Sequence, residues 1–372
     1  MNRKKLIAFS LSLAMTVVPV TPAAAGAEQN TEGLQNAVLD LEFENSLEDS
    51  SGKGNNGTLS SGEAEYVDGV VGKGLKMNGS SYVNLGNSTD LQPENLTLSF
   101  WIRPDSDMKG EELLSWNKNE WYTDGWYLSS ENDNTPLTLS VGPAKANGQP
   151  YRVSVSGKRS EFLPTGEWTH IAVTYDKDSK ESCFYRNGVK CSTVTTYGIS
   201  GESTGVLGSD ATMEKSIGYN GPKYKGAYLK ASLDEYQLYN DVATPEEVIA
   251  LYEESGQTFD RKAVAQADLD KISIPETTQE NLSLPTTGES GSVISWSSDN
   301  EAVVAADGTV VRPGVGEKDV TVTLTAEASY LNGEKVTKTY KVTVTAKQEI
   351  NITTSSIMGD VTLEDDYLVN AA

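Results

Sequence analysis

The stretch Gly166-Glu167-Trp168-Thr169-His170-Ile171-Ala172-Val173-Thr174-Tyr175-Asp176 alternates apolar and polar residues through Ile171, Val173 and Tyr175. That is the period of a half-buried strand. Phe184-Tyr185-Arg186-Asn187-Gly188 follows, and Asn187-Gly188 is a strong hairpin turn signal because both residues tolerate positive φ. With 33 Gly and 17 Tyr, the chain has the composition of an all-β protein. Its two cysteines, Cys183 and Cys191, flank the turn. A two-residue loop sets Cys183 opposite residue 192 and puts the sulfurs on opposite faces; a three-residue loop sets the two cysteines opposite each other. A disulfide is therefore open and depends on register.

The N-terminus sets the compartment. Arg3, Lys4 and Lys5 precede an apolar run, Leu6 to Val20, that is short for a bilayer span. Ala23-Ala24-Ala25 and Ala25-Gly26-Ala27 both fit small-x-small cleavage, so residues 1–27 read as a secretory signal peptide, against the alternative of an uncleaved anchor. The formal net charge is -23, and -26 once Arg3, Lys4 and Lys5 leave with the leader. A field of that sign repels nucleic acid and anionic membranes, and it suits a secreted protein that handles neutral ligands. Solubility is the plainer use of the same charge.

Residues 36–256 read as one large domain. Strand candidates are Val38–Phe43, Tyr82–Leu85, Leu96–Ile102, Leu137–Val141, Arg152–Ser156, His170–Tyr175, Ser182–Arg186, Ser216–Tyr219 and Leu229–Tyr239. Their number and spacing predict a two-sheet sandwich. Thr244-Pro245-Glu246-Glu247 is a capping box that opens a closing helix with Val248, Leu251 and Tyr252 on one face. Residues 257–266 read as a polar linker. Residues 267–346 predict a smaller sandwich with strands around Ile294-Ser295-Trp296, Val303-Val304, Thr309-Val310-Val311, Val320–Leu324 and Tyr340–Val344, and turns at Asp307-Gly308 and Asn332-Gly333. Residues 347–372 read as a linker and the start of a further domain, a loop entering a helix over Met358–Val369; an ordinary frayed tail is the alternative.

Two constellations carry chemistry. The Asp49–Asn56 loop is rich in carboxylate and amide oxygens. Alternation along 228–239 places Asp234 on a face with Tyr236 and Leu238, where a carboxylate needs either a metal or several backbone N–H groups. Secondly, Trp116, Trp121, Tyr122, Trp126 and Tyr127 cluster among Asn117, Asn119 and Asp124. Trp126 and Tyr127 lead into a strand and read as core. Trp116, Trp121 and Tyr122 read as loop, where rings can stack on the C–H faces of a sugar or simply cover the sandwich edge.

The large domain resembles the laminin-G-like, concanavalin-A-like jelly rolls. Phe43-Glu44, Asp49-Ser50-Ser51-Gly52-Lys53-Gly54-Asn55-Asn56-Gly57-Thr58, Gly72-Lys73-Gly74-Leu75, Leu98-Ser99-Phe100-Trp101-Ile102, the hairpin, Leu233-Asp234-Glu235-Tyr236-Gln237-Leu238-Tyr239 and the Thr244 helix carry the likeness in that order. The resemblance implies a structural calcium near the last strand and the N-terminal loop. Its candidate ligands here are Asp234 and Glu44, then Asp49 and Asn56. Through Ile294-Ser295-Trp296-Ser297-Ser298 and Asp307-Gly308-Thr309-Val310, residues 267–346 resemble the atrophied bacterial immunoglobulin-like domains, which implies a spacer. Val361 to Ala372 resembles the opening of the β-L-arabinofuranosidase type of glycoside hydrolase, implying a catalytic part beyond this sequence.

Within these residues catalysis is not expected. The Glu-x-Asp-x-x-Glu strand of sandwich-fold glucanases does not occur, Asp234 and Glu235 point to opposite faces of a strand, and the single histidine, His170, reads as structural. The sequence therefore reads as a secreted bacterial glycan-binding module with a spacer, from a glycoside hydrolase acting on arabinose-containing plant glycans. A surface adhesin binding host glycan or protein is the alternative.

Overall fold

The computed structural model describes residues 34, 37–105, 112–118, 125–130, 132–142, 151–191, 194–197, 214–219, 228–352 and 368–371. No helix among them is long and apolar enough to cross a membrane.

The first half of the large domain runs β1 (Ala37–Leu41), β2 (Thr58–Leu59), β3 (Glu65–Asp68), β4 (Lys73–Asn78), β5 (Val83–Asn84), β6 (Leu96–Pro104), β7 (Glu112–Lys118) and β8 (Gly125–Ser130). It continues through β9 (Leu137–Val141), β10 (Tyr151–Val155), the short α1 (Arg159–Phe162), β11 (Thr169–Tyr175), β12 (Ser182–Arg186), β13 (Val189–Lys190), β14 (Val194–Tyr197), β15 (Ser216–Ile217), β16 (Lys230–Tyr239) and α2 (Pro245–Glu254). One sheet has the order β13-β12-β11-β6-β16-β4-β3, with β1 also on β16; the other has the order β14-β10-β9-β8-β7-β15-β5-β2. The predicted jelly-roll sandwich is therefore present, and all-β is the fold class.

Alternation builds its core. Leu96, Leu98, Phe100 and Ile102 of β6 and Ile171, Val173 and Tyr175 of β11 meet Leu128, Leu137, Leu139 and Val153 from the opposite sheet. Burying each such side chain contributes about 1.5–3 kcal/mol. The hairpin at Asn187-Gly188 has the two-residue loop, since Tyr185 pairs with Lys190 and Arg186 with Val189. Both cysteines are free thiols: Cys183 packs with Ala172 and Tyr185 outside the sheet, and Cys191 packs against the main core. The disulfide that register left open is not formed, because the tight turn sends the two sulfurs to opposite faces.

Strand β16 changes partner midway. Lys230 to Leu233 pair with β4, and Tyr236 to Tyr239 with β1. A bulge between Asp234 and Gln237 marks the change, with Glu235 in the left-handed region at φ 46. Leu233, Tyr236 and Leu238 enter the core. The bulge takes Asp234 off the face that simple alternation assigned to it.

The closing helix α2 is capped as expected. The Thr244 hydroxyl accepts from Glu247 N, and the Glu247 carboxylate accepts from Thr244 N at 2.8 Å. Its Val248 packs with Ala172 and Tyr185 on the outer face of the first sheet. The stretch read as a polar linker is instead largely helical: α3 (Arg261–Lys271) starts there, capped by Asp260. The second domain adds β17 (Thr277–Thr278), β18 (Val293–Ser298), β19 (Val320–Ser329) and β20 (Val336–Val344) in the order β17-β20-β19-β18. Helix α3 covers part of this sheet through Ala265 and Leu269, against Ala326, Ala328 and Val336. Leu282 and Val304 cover the remainder, against Val322, Leu324 and Val342. Finally, β21 (Glu349–Ile352) pairs in parallel with β22 (Leu368–Ala371), so the last residues form strand where a helix was expected; residues 353–367 lie outside the description.

Candidate functional site

The two faces of the second sheet differ in chemistry. Val83, Trp126, Leu128, Leu139, Val141, Val153 and Ile217 line the core. Alternation turns the residues between them to the opposite face. Across that face the register is continuous over eight strands: Thr58, Asn84, Ser216, Trp116, Tyr127, Ser140, Arg152 and Tyr197 each stand directly opposite the next. A second row runs Ser129, Thr138, Ser154 and Thr195. Thr138 Oγ1 and Ser154 Oγ share a hydrogen bond of 2.8 Å. The Ser129 and Ser140 hydroxyls are fully buried and find no hydrogen-bond partner among the described residues. Each such group costs about 1–3 kcal/mol unless something polar meets it.

The aromatic candidates divide accordingly. Trp116 lies in β7 rather than in a loop and holds a central position of the row. Trp121 and Tyr122 lie outside the described residues. Trp126 is core, as read from the sequence, whereas Tyr127 is buried on the polar row.

The acidic candidates also divide. Asp49 accepts from Asp40 N at 2.9 Å, Ser51 N at 3.0 Å, Ser51 Oγ at 2.9 Å and Asn55 N at 2.8 Å. Burial pushes its carboxyl up, but these donors outweigh that and hold its pKa below the ordinary value. Asn56 Oδ1 accepts from Asp49 N at 2.8 Å. Both side chains thus close the 49–56 loop on its own backbone.

Glu44 and Asp234 do come together. Asp234 is fully buried; its Oδ2 accepts from Val70 N at 2.7 Å and Val71 N at 3.0 Å, and its Oδ1 from Glu235 N at 3.0 Å. Glu44 Oε1 accepts from Lys73 N at 3.0 Å. The two carboxylates thus grip opposite ends of one turn, where a Cβ on Gly69 would strike Asp234 and one on Gly72 would strike Glu44. Burial raises the Asp234 pKa to about 6 against its three N–H donors, with the Glu44 charge adding to the rise. The backbone is left-handed at Phe43 and Asn45, on either side of Glu44, and at Glu235. Among the described residues no group of three or more His, Cys, Asp or Glu gathers as a metal cluster. Glu44 and Asp234 therefore fit a cation only with backbone carbonyls completing the shell.

His170 is structural in character. Its Nε2 lies 2.9 Å from Ser99 Oγ, its ring packs on Trp101 and Tyr252, and Nδ1 finds no partner among the described residues. A base without an orienting group on Nδ1 lacks the triad arrangement.

The sequence reading missed an aromatic cluster. Tyr82, Tyr219 and Tyr228 stack with centroids 5.2 Å (Tyr82–Tyr219), 4.4 Å (Tyr219–Tyr228) and 6.5 Å (Tyr82–Tyr228) apart. Tyr82 lies far in sequence from Tyr219 and Tyr228, so no local spacing could have signalled the cluster.

Comparison with known proteins agrees with this architecture. Residues 77–249 match the family model of the concanavalin A-like lectin/glucanases superfamily, and residues 262–347 match that of the atrophied bacterial Ig domain. The chain thus carries a concanavalin A-like, laminin-G-like sandwich followed by an immunoglobulin-like domain. A stretch of 126 residues is 36% identical to an alpha-L-arabinofuranosidase of Bifidobacterium longum subsp. longum, covering 27% of this chain and 12% of that protein. Among solved structures, one similar chain is domain 4 of AbnA, a GH43 extracellular arabinanase from Geobacillus stearothermophilus, in complex with arabinotriose. It is 21% identical, with 59% of this chain and 99% of that chain covered and a TM-score of 0.45. The binding domain of Paraclostridial Mosquitocidal Protein 1 is 23% identical, with 59% and 52% covered and a TM-score of 0.44.

Proposed function

We propose that this chain is a secreted, non-catalytic carbohydrate-binding module with an immunoglobulin-like spacer, within a protein acting on arabinose-containing plant-type glycans. The observation that carries the reading is the polar row across the second sheet. It sets Trp116, Tyr127, Ser140 and Arg152 in consecutive register positions. A neutral sugar offers C–H faces for aromatic rings and hydroxyls for polar side chains. The net charge of -23 suits an uncharged ligand over an anionic one. The partial match to an arabinofuranosidase supports the class of glycan. Tethered to a catalytic domain, the module would raise the local concentration of substrate. Affinity electrophoresis of the full chain on arabinan, xylan and galactan tests this. Retardation on at least one glycan, strongest on arabinan, is expected; free migration on all three rejects it.

We also propose a structural calcium beside Glu44 and Asp234. Two adjacent carboxylates and the left-handed backbone flanking them support it. Chelator should lower the melting midpoint and added calcium restore it, with neither effect in Glu44→Gln. An unchanged midpoint in chelator overturns the ion.

A further inference from the structure

Tyr82, Tyr219 and Tyr228 form a stepped aromatic surface at the edge of the same sheet. Their planes lie within 10° to 26° of one another, and each ring is half-exposed. Tyr82 is separated from Asn84, a member of the polar row, by the core residue Val83, so alternation places Tyr82 on the row's face. The platform is rigidly rooted. Tyr82 exchanges hydrogen bonds with Ser60, the Ser216 hydroxyl donates to Tyr219 O at 2.7 Å, and Leu229 N donates to Gly218 O at 3.0 Å. Beneath it Val83, Ile217 and Leu229 are fully buried. Anchored rings lose little freedom when a ligand arrives.

We propose that these three tyrosines are the stacking platform on which a neutral sugar ring of the bound glycan docks, continuing the polar row to the sheet edge. This rests on the carbohydrate-binding reading above and names where the ring lies. The rings cover the faces they turn to one another, and the outward face of the stack with its phenol edges is what suits a sugar's C–H face and its equatorial hydroxyls. Glu214 stands beside Tyr82, and burial together with this charge raises the Tyr82 pKa, so the phenol stays a neutral donor. The same charge disfavours an acidic polysaccharide.

The full chain, Tyr219→Ala, Tyr228→Ala and Tyr219→Phe are to be compared by affinity electrophoresis on arabinan, xylan and galactan, with tyrosine difference absorbance of the unmutated chain titrated with arabino-oligosaccharide. Either alanine change should weaken retardation about five- to tenfold while Tyr219→Phe keeps it, and the tyrosine spectrum should shift on titration. Equal retardation of all four proteins, or a glycan-retarded chain whose tyrosine spectrum stays still, overturns the platform and leaves the binding reading standing. No retardation of the unmutated chain on any glycan overturns both.

Discussion

His170 shows at a single residue what burial does to chemistry. Wedged between Trp101 and Tyr252, it has its pKa pushed down to about 3 by burial. The folded state keeps it neutral, while the unfolded chain takes up a proton below pH 6.5, so its contribution is complete above 6.5 and falls away as pH drops toward 3. Between pH 6.5 and 5 this removes about 2 kcal/mol, a slope that denaturant melts should show and that His170→Gln should lack. Its structural character was legible, because no serine or cysteine partner accompanied it. Asp234 was half legible. A carboxylate among apolar residues signalled a buried anion, and the three N–H donors answer it. The face it occupies was not legible, since the bulge at Glu235 leaves no mark in an alternating pattern. For Asp49 and Asn56 the hydrogen bonds that close their loop were not legible, because an oxygen-rich loop reads alike whether its oxygens face a metal or its own backbone.

The Asn187-Gly188 hairpin is the element where sequence and structure agree most closely, and it also does something the sequence did not reveal. Gly188 has φ 78, and a Cβ there would meet the Phe259 ring at 2.8 Å, whereas Gly166, at φ 79, has nothing within 4 Å. Gly166→Ala should therefore cost only the left-handed strain, about 1 kcal/mol, and Gly188→Ala clearly more, about 2–3 kcal/mol. Chemical denaturation of the two variants checks the difference; equal losses would mean the turn does not press on Phe259. The nine strand stretches read in the large domain all hold strand residues, because alternation or a continuous apolar run marks them, whereas in the second domain Val303-Val304 and Thr309-Val310-Val311 meet only in the isolated bridge of Val304 with Val310. Lys73–Asn78, Glu112–Lys118 and Val194–Tyr197 went unread as strands. Glycine and lysine dilute the first, and polar neighbours hide the pattern of the others. The tyrosine platform was invisible for a different reason, since only the pairing of β5 with β15 brings Tyr82 toward Tyr219.

Across the whole molecule, the two domains share a core. Ile249 and Tyr252 of α2 and Phe259 pack with Ala265, Leu269, Ala326 and Tyr330 of the immunoglobulin-like domain. The composition of residues 257–266 suggested a polar linker because Phe259 and Val264 are its only large apolar residues. Calorimetry of residues 28–372 should give one transition, and Phe259→Ala should lower it by about 3 kcal/mol and split it in two. Two transitions before mutation would mean the domains unfold independently. The central claim, that the polar face of the second sheet meets a glycan, is tested most directly at Arg152, which holds a position in the row and is partly exposed. The measurement is arabinan affinity of Arg152→Ala beside its melting midpoint. The account predicts a variant that still melts cooperatively, with affinity about five- to tenfold weaker; unchanged affinity in a folded variant would contradict it.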